Sequence, residues 1–244
     1  MVHLVLEVKG LNVWFKKDRP IISNLDLVIP NNTIIGLVGK NGSGKTTLIK
    51  SLSSVFDKRN YQVTSISLNG ESKPLDSNVY KLNTYTVFTE NNSFLNWNFS
   101  QYFNFICRLF HVKRDDDLYD YLVKGFNFGK FLQTSIGNLS TGNKKKVFLI
   151  TGFYLKRPLL ILDEPFDGLD FDSTEFLYKV LVQYKSYGSI LMTSHIAESI
   201  SRVCDEAYFL EDGHLKLLQS DLDDWLNEVS SQRRSVVKGG NRCF

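Results

Sequence analysis

Three cysteines in 244 residues, Cys107, Cys204 and Cys243, are odd in number and scattered, which excludes a disulfide framework. None stands in the CxxC spacing that would suggest zinc, and a reducing cytosol suits such a chain. Long hydrophobic runs are also missing. The longest mostly apolar stretch, Val147 to Leu155, falls far short of the roughly 20 residues a membrane-spanning helix needs. Met1 to Gly10 alternates like a strand and has no basic segment followed by an apolar core, so no secretory leader is expected. Excess charge of either sign is small: a formal +3 and a pI near 8.6 are too mild to mark a dedicated nucleic-acid binder. Internal repeats, coiled-coil heptads and low-complexity tracts are absent too.

What is present is an ordinary globular composition, 43% hydrophobic, long enough for one large domain or two small ones with a well-packed core. The most informative run is Gly39-Lys40-Asn41-Gly42-Ser43-Gly44-Lys45-Thr46, which fits GxxxxGK[ST]. It follows the strand-like Thr33 to Val38 and leads into a helix-like Thr47 to Leu52. Glycines let successive backbone N–H groups converge on an anion, and the helix adds its positive end at the same point. Lys45 is placed to reach terminal phosphates, and the Thr46 hydroxyl to bind Mg²⁺.

Leu4 to Val8, Ile21 to Ile29 and Gln62 to Leu68, the last running into the turn Asn69-Gly70, read as strands of a small, mostly antiparallel sheet. Thr33 to Val38, Thr84 to Thr89, Leu159 to Leu162, Ser189 to Thr193 and Glu206 to Leu210 read as parallel strands of an α/β core. Between Asn98 and Lys156 the β signal stops, and Phe99 to His111 and Asp115 to Phe126 carry apolar residues at helical spacing. A helical insertion therefore splits the core. From Ser231 onward Arg233, Arg234, Lys238 and Arg242 with little periodicity read as a flexible basic end.

The strand Leu159 to Leu162 ends in Asp163 and Glu164, at the sheet edge where α/β ligands bind. Asp163 suits Mg²⁺, and Glu164 can polarise a water for attack on a γ-phosphate. His195 follows Ser189 to Thr193 at the same edge and can donate to that phosphate or water. His3, His111 and His214 have no such context. Leu139-Ser140-Thr141-Gly142-Asn143 precedes a helical segment, Lys144 to Tyr154, so Ser140 reads as its N-cap, with free N–H groups open to an anion.

In order, the phosphate loop, Leu139 to Asn143, Asp163-Glu164, Gly168-Leu169-Asp170 and His195 resemble the nucleotide-binding domain of an ATP-binding cassette (ABC) transporter, from Leu4 to about Leu218. The resemblance implies an α/β fold: a P-loop NTPase core with a parallel sheet, a small antiparallel β subdomain and a helical signature subdomain. One ATPase domain is expected over residues 1–230, with the helical part at about 91–156, and a flexible tail at 231–244. The implied ligands are ATP and Mg²⁺, with Gly39, Asn41, Gly42, Ser43, Gly44, Lys45, Thr46 and Thr47 around the phosphates and Thr46, Asp163 and Glu90 at the metal. Glu164 is then the base, with His195 at the γ-phosphate and Lys45 as the third catalytic group. Phe15 aligns with the aromatic that stacks on adenine, and Trp14 beside it offers the same kind of face. Ser140 and Gly142 would serve a nucleotide held mainly by an opposing subunit, with Gly168 to Asp170 crossing between the two.

Three features depart from that pattern. Thr141 and Asn143 replace a glycine and the glutamine of LSGGQ, leaving Ser140 and Gly142. Glu90 stands where the family has a glutamine that senses Mg²⁺ and the attacking water. An ionised carboxylate there cannot donate as an amide does, and it adds negative charge beside metal and phosphate. Lys144-Lys145-Lys146 reads as the solvated start of a helix, with contact to an acidic partner surface or to phosphates as the alternative. Of the aromatics Phe94, Trp97, Phe99, Tyr102, Phe103, Phe105 and Phe110, most are expected in the core, with one or two near Trp97 exposed as a docking patch.

The expected function is ATP hydrolysis that powers transport, in the direction of export, through a separate transmembrane subunit. A second ATPase subunit, a copy or a paralogue, is expected as partner, at the inner face of the cell membrane and without specific nucleic acid. Two other classes stay open: a soluble cassette acting on DNA or ribosomes, and a weakly hydrolysing regulatory cassette.

Overall fold

Two hydrophobic periodicities build two sheets, seen in a computed structural model that describes residues 4–16, 19–195 and 197–218. In the first sheet β1 (Leu4–Lys16) pairs antiparallel with β2 (Arg19–Pro30). Along β2 Ile22, Leu25, Leu27 and Ile29 are buried, and Asn24, at φ 44°, marks the break in strict alternation between Ile22 and Leu25. The other edge of β1 takes β4 (Tyr61–Gln62) and β5 (Ser65–Leu68), and β5 turns back through Asn69 and Gly70 into β6 (Glu71–Ser72). Both turn residues have positive φ, as a two-residue hairpin demands. The expected single strand Gln62 to Leu68 is thus broken at Val63 and Thr64, where Thr64 N–H donates to the Lys9 carbonyl.

The second sheet has the order β11-β10-β3-β9-β8-β7. Here β3 (Ile34–Val38), β7 (Thr84–Val87), β8 (Leu159–Leu162), β9 (Ser189–Thr193) and β10 (Glu206–Glu211) are parallel, as expected. All residues of β3, β8 and β9 are buried, which is why these strands read as unbroken apolar runs instead of alternating. An antiparallel edge strand, β11 (His214–Leu218), was not anticipated; its half-buried, charge-interrupted sequence carries little strand signal. β3, β9 and β8 are neighbours, so whatever follows their C-terminal ends is gathered at one sheet edge.

Seven α-helices are described: α1 (Lys45–Leu52), α2 (Asn78–Asn83), α3 (Phe99–Leu109), α4 (Asp116–Gly125), α5 (Thr141–Leu155), α6 (Phe171–Tyr184) and α7 (Ala197–Val203). Side chains cap the entrances of α2 to α6. Asn98 and Gln101 form a capping box on α3, and Asp115, Ser140 and Asp170 accept from backbone N–H groups of α4, α5 and α6. α3 and α4 belong to the helical segment, whose interior is aromatic: Phe99, Phe103, Phe126, Phe128 and Tyr154 are almost fully buried, with Phe99 edge to face on Phe128 and Phe103 on Tyr154. Each such ring contributes on the order of 2–3 kcal/mol by burial. α5 is apolar on every face from Val147 to Leu155, as befits a helix covered all round.

No helix among the described residues is long and apolar enough to cross a membrane. The expected basic tail, 231–244, lies outside the described residues, as does the end of the expected 1–230 domain.

Candidate phosphate site and catalytic carboxylates

The loop from β3 into α1 curls because its glycines adopt conformations closed to other residues: Gly42 and Gly44 have φ of 82° and 102°. Gly44 precedes the first turn of α1 and no side chain caps that helix, so its leading N–H groups stay available to an anion. Gly39, Asn41, Ser43 and Thr47 complete the loop and helix start. Lys45 is 8% exposed, and its Nζ donates to the Gly39 and Lys40 carbonyls at 2.7 and 3.1 Å. Burial lowers its pKa, and the Glu164 and Asp163 carboxylates oppose that shift. The ammonium therefore faces the same space as the acids.

β8 delivers those acids. Asp163 is 1% exposed; its Oδ1 accepts from Thr193 Oγ1 at 2.9 Å and lies 3.5 Å from Thr46 Oγ1. Its Oδ2 and the hydroxyl of Ser43 are both buried and lack a hydrogen-bond partner. A buried carboxylate oxygen without a partner is costly, and a cation met through Thr46 and Asp163 would relieve it, while a phosphate would satisfy Ser43. The residues present thus fit a metal-bound nucleotide.

Glu164 is held by backbone and side chain. Its N–H donates to Thr193 Oγ1 at 2.8 Å, and its carbonyl accepts from Lys145 Nζ at 2.5 Å. The residue is left-handed, with φ 48°. Its Oε2 meets the backbone N–H of His195 at 3.1 Å and the ring Nδ1 at 2.9 Å. Asp167 lies 3.8 Å from the other ring nitrogen, so Glu164, Asp167 and His195 bring potential ligand atoms within 4.8 Å of one another. Glu90, after β7, is exposed; its neighbour Thr89 donates to the Asp163 carbonyl at 3.1 Å, which ties that turn to the acid strand.

Ser140 caps α5 as expected, accepting from Asn143 N–H at 3.3 Å. Gly142 is pressed against the Gly168 carbonyl so closely that a Cβ would collide with it. Asp170 caps α6 through Ser173 N–H at 2.9 Å and pairs with Lys146 at 2.6 Å. Phe15 projects to solvent, 63% exposed, edge-on to Phe56, whereas Trp14 is tied by its indole N–H to the Arg59 carbonyl. Of that pair Phe15 presents the open ring.

The basic cluster after the signature-like turn is not a solvated face. Lys145 and Lys146 are 4% and 3% exposed, and their ammonium groups are spent on Glu164 and Asp170. They and Thr193 are site residues that motif reading passed over. The available signal was the all-round apolar sequence of α5 from Val147, which carries the two lysines just before it inward.

Residues 22–167 match the family described as ABC transporter. The chain is 33% identical over 88% of its length, and 90% of the other's, to AlbC of Bacillus subtilis strain 168, whose name describes an ABC transporter ATP-binding protein. It is 28% identical to EcsA of the same organism, an ABC-type transporter ATP-binding protein, over 87% of this chain and 85% of that one. A solved ATP-binding subunit of an ABC transporter superposes with a TM-score of 0.80 at 24% identity, over 93% of this chain and 99% of the other.

Proposed function

The chain belongs to the ABC transporter family as an ATP-hydrolysing, ATP-binding subunit, and from that premise we propose that two such cassettes face one another on a separate membrane-spanning subunit. The observation that carries the site assignment is the convergence of Lys45, Asp163, Glu164 and His195 on one sheet edge, with Asp163 Oδ2 left unpaired there. Backbone N–H groups from Gly39 to Thr47, with Lys45, hold the phosphates. Thr46 and Asp163 would hold Mg²⁺, which when bound neutralises phosphate charge. Phe15 stacks on the adenine. Glu164 orients the attacking water and takes its proton, while His195 fixes the carboxylate through Oε2 and turns its ring toward the γ-phosphate.

One chain carries one phosphate loop and one Ser140-x-Gly142 turn. We read Ser140, Gly142 and Asp170 as contacts to the nucleotide and surface of the facing cassette, so that productive hydrolysis needs two chains. A separate membrane subunit is supported by relatives of nearly equal length that are named as ATP-binding proteins. Leu95 and Phe105, 37% and 36% exposed beside half-buried Phe94 and Trp97, offer an aromatic patch on which that subunit can dock. On this reading the working position is the inner face of the membrane. Export is the direction carried over from the resemblance.

The test is to trap the Glu164→Gln protein with ATP and Mg²⁺ in source membranes and identify what co-purifies. A dimer bound to one polytopic membrane protein is the expected result. A soluble monomer, or a complex with nucleic acid or ribosomes, overturns the reading. Direction follows from cargo flux in vesicles carrying the recovered complex.

A further inference from the structure

Two adjacent lysines buried in the first turns of a helix demand explanation, because an ammonium without acceptors in a protein interior is strongly unfavourable. Lys146 reaches the Asp170 carboxylate. Lys145 instead spends its Nζ on a backbone carbonyl, that of Glu164, at 2.5 Å. Burial lowers the Lys145 pKa, and the carboxylates of Asp167, Glu164 and Asp163 counter that effect, so acids surround the ammonium on the side it faces.

The carbonyl it holds belongs to a residue in an unfavourable conformation. Glu164 has φ 48°, a region that a non-glycine residue leaves unless its surroundings over-determine it. Two contacts do so from opposite sides. Thr193, on β9, accepts the Glu164 N–H at 2.8 Å and passes its own hydroxyl to Asp163 Oδ1 at 2.9 Å. Lys145, on α5, takes the carbonyl. With both peptide planes of Glu164 pinned, its side chain is aimed at His195, and Oε2 meets the ring at 2.9 Å.

We propose that Lys145 is a positioning residue for hydrolysis, holding Glu164 in the backbone conformation that aims its carboxylate at the attacking water. The proposal rests on Glu164 being the base. Lys145 lies in the same helix start as Ser140 and Gly142, which are assigned to the nucleotide across the dimer.

The test compares Lys145→Met with the wild-type full chain by steady-state hydrolysis of MgATP and by binding of a fluorescent ATP analogue, alone and in the Glu164→Gln background. Expected is a fall in kcat of at least tenfold with KM and analogue Kd within twofold. In the Glu164→Gln background the same change should alter single-turnover hydrolysis by less than twofold, since the group being positioned is gone. An unchanged kcat, a KM rising in step with the loss, or an equal loss in the Glu164→Gln background each overturns the proposal. If Lys145→Met does not fold, Lys145→Gln is read by the same split. Failure of both to fold overturns it too, because Lys145 would then be a requirement of the fold. Wild-type rates in Glu164→Gln alone defeat the base assignment itself, a result distinct from any of these.

Discussion

His195 places its backbone N–H and its ring Nδ1 on one oxygen of Glu164, Oε2, at 3.1 and 2.9 Å. A carboxylate so held keeps its second oxygen for another partner, the arrangement a general base requires. Glu164→Gln is expected to lower ATP turnover by about 10²- to 10⁴-fold, the usual range for losing a general base. His195→Ala should lower it in the same direction. The double variant should be no slower than the worse single one, because the two groups act as a unit. Phosphate release under saturating MgATP measures all three, and multiplicative losses would show independent roles.

Glu90 sits exposed after β7, and Thr89 ties that turn to the Asp163 carbonyl at 3.1 Å. The turn that carries Glu90 is therefore anchored to the acid strand. Glu90→Gln replaces an acceptor by a group that also donates and removes one negative charge. It is expected to change the basal ATPase rate or its stimulation by the membrane subunit. Identical basal and stimulated rates would show that the carboxylate is without influence there.

The phosphate loop, the acid strand and His195 were legible because each ends a buried strand, and continuous apolar runs followed by glycines or acids mark that position directly. Strand order was less so, yet the neighbours β3, β9 and β8 are what bring those ends together. Lys145, Lys146 and Thr193 were not legible. Their roles depend on which face of α5 and β9 meets which loop, a tertiary fact that residue type does not encode; a lysine run usually signals solvent. β6 and β11 were missed for a related reason, being short or half-buried and stabilised by pairing more than by their own pattern.

Gly142 faces the Gly168 carbonyl with no room for a Cβ. Gly142→Ala must therefore push α5 away from the Gly168 to Asp170 loop or distort that loop. The expected loss is about 1–3 kcal/mol of stability, as for overpacking elsewhere. It should come with weaker ATP-dependent dimerisation, because both segments are assigned to the interface. Urea unfolding and size-exclusion chromatography with ATP check the two parts, and wild-type values in both would show that the loop yields freely.

The Lys146–Asp170 pair predicts a pH dependence. Lys146 is 4% exposed in its side chain, while Asp170 is 56% exposed, so solvent screens the pair from one side only. The Lys146 ammonium, with the Ser173 N–H, holds the Asp170 carboxyl well below the usual carboxylate range, partly offset by burial. A carboxylate whose pKa is lower folded than unfolded stabilises above the unfolded value of about 3.9, and that stabilisation is lost as pH falls toward the folded value. Asp170→Asn should therefore reduce stability by about 1–2 kcal/mol near neutral pH, the exposed side warranting the low end for a charged hydrogen bond. The gap to wild type should be flat from about pH 7 to pH 5 and narrow below about pH 4. Lys146→Met should reproduce most of that narrowing, since it removes the larger cause and leaves Ser173 in place. Denaturant midpoints measured across this range decide the matter: a gap independent of pH would mean that the charge of Asp170 contributes nothing to folding, through Lys146 or through the helix cap.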